Sequence, residues 1–222
     1  MCDDRRYIRQ RGEWMPVPCG QCPTCKKRRV DGWVFRMLQQ EKASLFAHFI
    51  TLTYDTAHVP FSDFGHLTLR KDDLQKYFKR LRKLVPDLKL KYYAVGEYGS
   101  KTWRPHYHAI VYNVPKERYF TDAWSIDGVS LGAVHVGAVS TDSIAYTMKY
   151  IDKGSFRPIS SLDDREPEFA IMSKRLGANY ITPNMVKWHK ADLARVYCVK
   201  DGHKIAMRKY YKDKIYYDDD RC

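Results

Sequence analysis

The stretch 88–113 constrains this chain more than any other. It holds two strand-like runs, LKLKYYAVGEYG and PHYHAIVYN, separated only by the polar loop Ser100–Arg104. Two such runs on so short a connection pair antiparallel, as a hairpin. If the chain turns between Lys101 and Thr102, residues equidistant from that turn stand opposite each other, and Glu97 faces His106. Residues two apart on a strand share a face, so His106 and His108 present two imidazoles side by side while Tyr107 and Ala109 turn to the other layer. Two imidazoles and a carboxylate from adjacent strands can hold a divalent cation and leave positions open for substrate. A pair of surface histidines beside an unrelated acid would give the same letters.

The remaining elements fit around that hairpin. Lys26 to Leu45 contains no proline and carries Val30, Trp33, Val34, Met37 and Leu38 at helical spacing. The run HFITLTY, His48–Tyr54, reads as a strand with Phe49, Thr51 and Thr53 on one face. A second helix fits Asp72–Val85, its stripe made of Leu74, Tyr77, Phe78, Leu81 and Leu84, with Pro86 as the stop. Val134–Val139 is a further strand. Thr141-Asp142-Ser143 would cap a helix from Ile144 to about Lys153, ended by Gly154. The order β-α-β-β-(helical insert)-β-α predicts an α+β fold: one central antiparallel β-sheet flanked by helices, related to the ferredoxin-like arrangement. Three parts are expected: an N-terminal cysteine segment and helix over 1–46, a core over 47–154, and a basic, aromatic extension over 155–222 packed on the core.

Three of the six cysteines fall in the run Cys19-Gly20-Gln21-Cys22-Pro23-Thr24-Cys25. Thiolates at C-x-x-C-x-x-C can converge on one tetrahedral ion, and a structural zinc is favoured over free thiols or a redox pair. The fourth ligand expected is Cys2, with Cys198 or His203 behind it.

The formal net charge of +13 calls for an anionic partner, nucleic acid before membrane. No apolar run is long enough to span a bilayer, and the start MCDDRRYIRQR lacks the apolar stretch of a secretory signal. The segment RKYYKDKIYY alternates cations with tyrosines, so Lys209, Tyr210 and Tyr211 suit a phosphate backbone with stacked bases; ordinary tyrosine packing in a solvated strand pair fits equally well. Arg104 is a candidate phosphate contact because it adjoins the histidines.

Tyr146, Lys149, Tyr150 and Lys153 share one face of the last helix. A tyrosine flanked by lysines can attack a phosphodiester, the cations favouring the phenolate and the charge developing on phosphate. Two such tyrosines one turn apart could perform successive transfers. Amphipathic helices carry the same spacing for packing alone, so the motif gains force only beside the histidines.

Together, FITLTYD, VGEYGSKTWRPHYHAIVYN and IAYTMKYIDK resemble the HUH endonucleases, with Tyr107 as the bulky residue between the histidines. With the MC start, PCGQCPTCKKRRVDGW and the tail RKYYKDKIY, the chain resembles most the replication initiators of gokushovirus-like microviruses. That resemblance implies rolling-circle replication: nicking of single-stranded DNA at an origin, a covalent 5′-phosphotyrosine, a free 3′ hydroxyl for host polymerase, then a second cleavage and rejoining. It implies Mg²⁺ or Mn²⁺ on Glu97, His106 and His108, nucleophilic Tyr146 and Tyr150, and assistance from Lys149 and Lys153. Thr51 and Thr53 would contact DNA. A host helicase is implied as a partner and the bacterial cytoplasm as the place of action. Three other functions compete. A plasmid relaxase or transposase would need one tyrosine, a zinc-stabilised single-stranded DNA binder would form no adduct, and a metallohydrolase would cleave through water.

Overall fold

The computed structural model describes residues 2–10, 12–140, 143–144, 146–148 and 162–216. In chain order these form β1 (Arg6–Gln10), β2 (Glu13–Val17), α1 (Pro23–Lys42), β3 (Ala47–Thr53), α2 (Lys71–Leu84), β4 (Lys91–Tyr98), β5 (Pro105–Tyr112) and α3 (Arg118–Ala123). The two-residue strands β6 (Ser125–Ile126) and β7 (Val129–Ser130) follow, then β8 (Val134–Ala138) and β9 (Phe169–Met172). A helix at Pro183–Lys190, the strands β10 (Tyr197–Lys200) and β11 (His203–Ala206), and a helix at Lys209–Tyr216 complete the described chain. Among these residues no helix is long and apolar enough to cross a membrane.

Gln40–Leu176 form one compact unit, built on a five-stranded sheet in the order β8-β3-β5-β4-β9. Every neighbouring pair is antiparallel. Strands β3 and β4 therefore run the same way, linked through α2, with β5 inserted between them. This is the split βαβ arrangement of ferredoxin-like folds, extended by β9 at one edge. One sheet face is apolar because alternate residues Ile50, Leu52, Ala94, Tyr107, Ala109 and Val111 point the same way, onto Leu74, Tyr77, Phe78 and Leu81 of α2. Phe78 stacks on Tyr92 at 3.5 Å, and fully burying a side chain of this size stabilises the fold by about 1.5–3 kcal/mol. Gly132 lies against the end of β3: with φ +152°, an added Cβ would sit 2.1 Å from the Thr53 carbonyl oxygen.

Several expected boundaries move. Helix α1 begins at Pro23, which fits a first turn because its missing N–H has no helical partner there. It stops at Lys42 rather than Leu45, where Ala43 and Ser44 bond back to Gln40 and Glu41 in a tightened turn. Helix α2 ends at Leu84, since Val85 precedes Pro86 and is extended. Leu84, expected in the buried stripe, is 37% exposed at that frayed end. The cap expected at Thr141-Asp142-Ser143 centres instead on Ser140. Its Oγ accepts from the Ser143 N–H while Ser143 Oγ accepts from the Ser140 N–H, a reciprocal box.

The first 39 residues and the chain from Gly177 onward form the second unit, so the two ends expected as separate segments share one unit. Phe35, Cys198, Met207, Tyr211 and Ile215 make its apolar cluster.

Candidate active site

The hairpin has the register read from the sequence, with Glu97 directly opposite His106. His106 Nε2 lies 2.6 Å and His108 Nε2 3.0 Å from the same oxygen, Glu97 Oε1. Glu97 is 3% exposed, and its other oxygen, Oε2, is buried with no hydrogen-bond partner among the described residues. A buried carboxylate oxygen without a donor is costly. Beside two imidazole nitrogens it is what a cation would satisfy, so these three residues fit a divalent ion.

The far sides of both rings are tethered. His106 Nδ1–H donates to the Arg104 carbonyl at 3.1 Å, and His108 Nδ1 lies 2.9 Å from Thr51 Oγ1. Such bonds fix the tautomer that leaves Nε2 as ligand and hold the ring's aim. Phe49 stacks on His108. Without a metal the site is a proton-sharing cluster. Burial by itself would raise the Glu97 carboxyl, but hydrogen bonds from His106 and His108 outweigh it and hold the group below its usual range. Burial by itself would lower His106, but the bond to Glu97 outweighs it and raises the imidazole above its usual value.

Thr51, a DNA contact by resemblance, has its hydroxyl placed instead on His108. Thr51→Val should keep the strand and lose that tether. Mn²⁺ affinity should fall roughly 10- to 100-fold with folding intact, read by electron paramagnetic resonance titration of free Mn²⁺. Unchanged affinity would show that Phe49 and the backbone alone aim the ring. Thr53 lies exposed at the strand end, its hydroxyl 3.4 Å from the Ala133 carbonyl. Arg104 is half-buried and donates to the Tyr54 carbonyl at 2.7 Å. A residue that motif reading missed is His135, which sits opposite Thr51 on the side away from His108 and is exposed. Its only sequence signal was the alternation Val134-His135-Val136.

Tyr146 rises beside the cluster. Its ring is 5.4 Å from that of His108 at 84°, and it is 40% exposed while Ile144, Thr147 and Met148 are buried. Lys149, Tyr150 and Lys153 lie outside the described residues.

In the other unit, Cys2, Cys19, Cys22 and Cys25 place their sulfurs within 4.8 Å of one another. Cys2 and Cys22 are 3.9 Å apart and Cys19 and Cys25 4.0 Å, close to the edge of about 3.8 Å in a tetrahedron with metal–sulfur bonds of about 2.3 Å. Backbone N–H groups of Gln21 and Cys22 donate to Cys19 Sγ, and Cys19 N–H donates to Cys2 Sγ. Gly20, at φ +77°, permits the turn that aims them. The Cys19 N–H bond holds the Cys2 thiol below its usual value. At Cys25 a backbone bond at Gly20 favours the thiolate, but burial and the sulfurs of Cys22, Cys2 and Cys19 outweigh it and push the thiol up to about 12. A cluster that cannot ionise fully by itself fits a bound cation. Cys198 is buried in the apolar cluster and His203 is exposed on β11, so neither belongs to this group.

The tail RKYYKDKIY is a helix, not a strand pair. Tyr211 and Ile215, one turn apart, face inward. Tyr211 is fully buried with its hydroxyl on the Gly177 carbonyl, so it cannot stack on a base. Tyr210 is half-buried under the Arg36 guanidinium, which leaves Lys209 as the exposed member of the three.

Residues 47–155 match the family model of the ORF2-type replication-associated proteins. The chain is 26% identical over 215 residues to Replication-associated protein ORF2 of Spiroplasma virus 4, covering 90% of this chain and 67% of that protein. It is 28% identical over 217 residues to Replication-associated protein VP4 of Bdellovibrio phage phiMH2K, covering 88% and 66%. For Replication-associated protein ORF4 of Chlamydia phage 1 the figures are 26% over 228 residues, 90% and 53%. The chain thus spans about two thirds of the first two relatives' length and about half of the third's. No solved structure matches it. These matches agree with the resemblance read from the residues: the chain is similar to a microvirus-like phage replication initiator, and the family-model match falls on the sheet that carries Glu97, His106 and His108.

Proposed function

We propose that this chain nicks and rejoins single-stranded DNA at a phage replication origin through a covalent 5′-phosphotyrosine. The observation that carries the reading is Tyr146, half-exposed, with its ring against His108 of the Glu97–His106–His108 set. A nucleophile type and a metal-ligand set stand on one sheet face, as tyrosine transesterification needs.

Glu97, His106 and His108 would hold Mn²⁺ or Mg²⁺, which when bound supplies Lewis-acid polarisation of the scissile phosphate. Tyr146 Oη forms the new bond to phosphorus, the bond from phosphorus to the 3′ oxygen breaks, and the phenolic proton ends on that oxygen as a 3′ hydroxyl. Tyr150 would repeat the transfer when the circle is closed, with Lys149 and Lys153 stabilising charge on phosphate. Arg104 and Thr53, at the same end of the sheet, would position the backbone. Lys209 and Tyr210 would add contacts from the other unit, and the cysteine group would hold structural Zn²⁺. Host polymerase and helicase would act with the chain in the bacterial cytoplasm.

The test is a denaturing gel of end-labelled single-stranded DNA incubated with Mn²⁺ or EDTA. Wild type should give a metal-dependent protein–DNA band that keeps the DNA 3′ of the cut. The Tyr146→Phe/Tyr150→Phe double variant should lose it entirely, and each single variant should lose one of the two transfers. Cleavage with no covalent band would make the site a hydrolase. Dependence on only one tyrosine for every step would make it a relaxase-like enzyme.

A further inference from the structure

A cavity of 360 Å³ opens where the β4–β5 turn meets the loop before α2; it is lined by Gly65, His66, Leu67, Thr102, Trp103, Asp163 and Arg165. That volume lies at the lower end of ligand pockets, roughly 300–1,000 Å³. Four features mark it as built. Trp103 adopts φ +54°, an uncommon conformation for a bulky residue, held by Trp103 N–H to the Gly99 carbonyl and Gly99 N–H to the Arg104 carbonyl, both 3.0 Å. The Arg165 guanidinium lies over the indole at 4.5 Å and over Tyr98 at 5.3 Å. Arg165 is itself gripped by Asp163 through two bonds of 2.8 Å, both side chains being almost wholly buried. The loop is tied down by Phe64 N–H on Asp164, Lys71 N–H on Glu166 and Glu166 N–H on Thr68.

A buried bidentate ion pair that backs an indole is expensive to build and adds little stability by itself. What it does here is fix the orientation of an aromatic plane that remains 40% exposed at the cavity. Phe61 and Phe64, on the facing loop, are 55% and 61% exposed. Trp103 is three residues before His106, and Arg104 between them carries the carbonyl that tethers His106. Exposed aromatic planes on a strongly basic chain suit unpaired bases, each of which offers a π-face, whereas paired bases keep theirs inside the stack.

We infer that this cavity takes one unpaired base of the substrate strand, stacked on Trp103, next to the scissile phosphate. The inference rests on the nuclease reading for its substrate, yet it is measured by binding without chemistry. The site would set which base is accepted near the cut, with Trp103 supplying the plane, Arg165 and Asp163 its support, and Thr102 and His66 polar groups at the base edge.

The experiment is a binding cycle in EDTA by fluorescence anisotropy, using the full chain. A single-stranded 20-mer and versions with one abasic residue at each successive position are titrated against wild type, Trp103→Ala and Trp103→Phe. One position should cost wild type roughly 10- to 100-fold when its base is removed. The same removal should cost Trp103→Ala nothing, and Trp103→Phe should recover part of the difference. A companion measurement needs no variant: 2-aminopurine walked along the strand should be quenched at that one position on binding wild type. A flat abasic profile with uniform 2-aminopurine emission would overturn the pocket, and so would a sensitive position that persists in Trp103→Ala. Absence of the covalent adduct in the gel assay, with the cycle intact, would instead remove the transesterase reading and leave the base site standing.

Discussion

Glu97→Gln should abolish Mn²⁺-dependent cleavage, with product formation falling by about a thousandfold or more, as expected when the one anion of a metal site is removed. Glutamine fills the same volume, so the sheet should survive. What changes is charge: Oε1 accepts from both imidazoles and Oε2 is the orphaned buried oxygen. An amide supplies neither function to a cation. Titration of Mn²⁺ should show the loss of affinity directly, and retained affinity with lost cleavage would move Glu97 out of the ligand set.

The same variant has a signature in the metal-free protein. His106 is raised above its ordinary 6.5, so its pairing stabilises the fold fully below pH 6.5 and that contribution is lost as pH rises through the raised folded value. Glu97 is held below its ordinary 4.5, so its contribution is present above pH 4.5 and lost as pH falls through the depressed folded value. Metal-free wild type should therefore melt highest, as far as this pair decides it, between those two pH values. Glu97→Gln should flatten that profile. Added Mn²⁺ competes with the proton on His106, so the rise in melting temperature it causes should grow from pH 6 to pH 8. A metal effect independent of pH would mean that His106 is not displaced from its proton on binding.

Why the site was legible in the sequence and parts of the fold were not follows from the range of the forces involved. The Glu97–His106 pairing could be read because a short hairpin loop fixes register locally and strand alternation fixes the face. The same alternation put Thr51 on the site face, but it could not show that its hydroxyl would be taken up by His108, because that bond joins residues 57 apart in sequence. The tail was misread for a related reason. Alternating Lys and Tyr in RKYYKDKIY satisfies a period of two by eye, whereas Tyr211 and Ile215 at a spacing of four are what the apolar cluster selects. Likewise, nothing local announces that the first and last segments share one unit. Phe35 meeting Tyr211 is a contact across most of the chain.

The cysteine group gives the second large effect. Cys22→Ser should empty the site of zinc, from one ion per chain to none, and unfold the N-terminal hairpin. Strands β1 and β2 are exposed on both faces, and a lone two-stranded hairpin is marginal in water. Its two ends are Cys2 on one side and Cys19, Cys22 and Cys25 on the other, so an ion held by all four closes the hairpin as a clip. Where the ligands are not preassembled, metal binding is folding free energy. Brief trypsin treatment reads this out, since Arg5, Arg6 and Arg9 are exposed on that hairpin. Wild type with zinc should resist cleavage there, while Cys22→Ser and the chelated wild type should be cut within the first 17 residues. Mn²⁺ binding at Glu97, His106 and His108 should persist in both, because that sheet has its own apolar core. Zinc-free wild type that resists trypsin as well as the loaded protein would mean that the thiols are packed rather than ligating. Loss of Mn²⁺ binding in Cys22→Ser would mean that the two units fold only together.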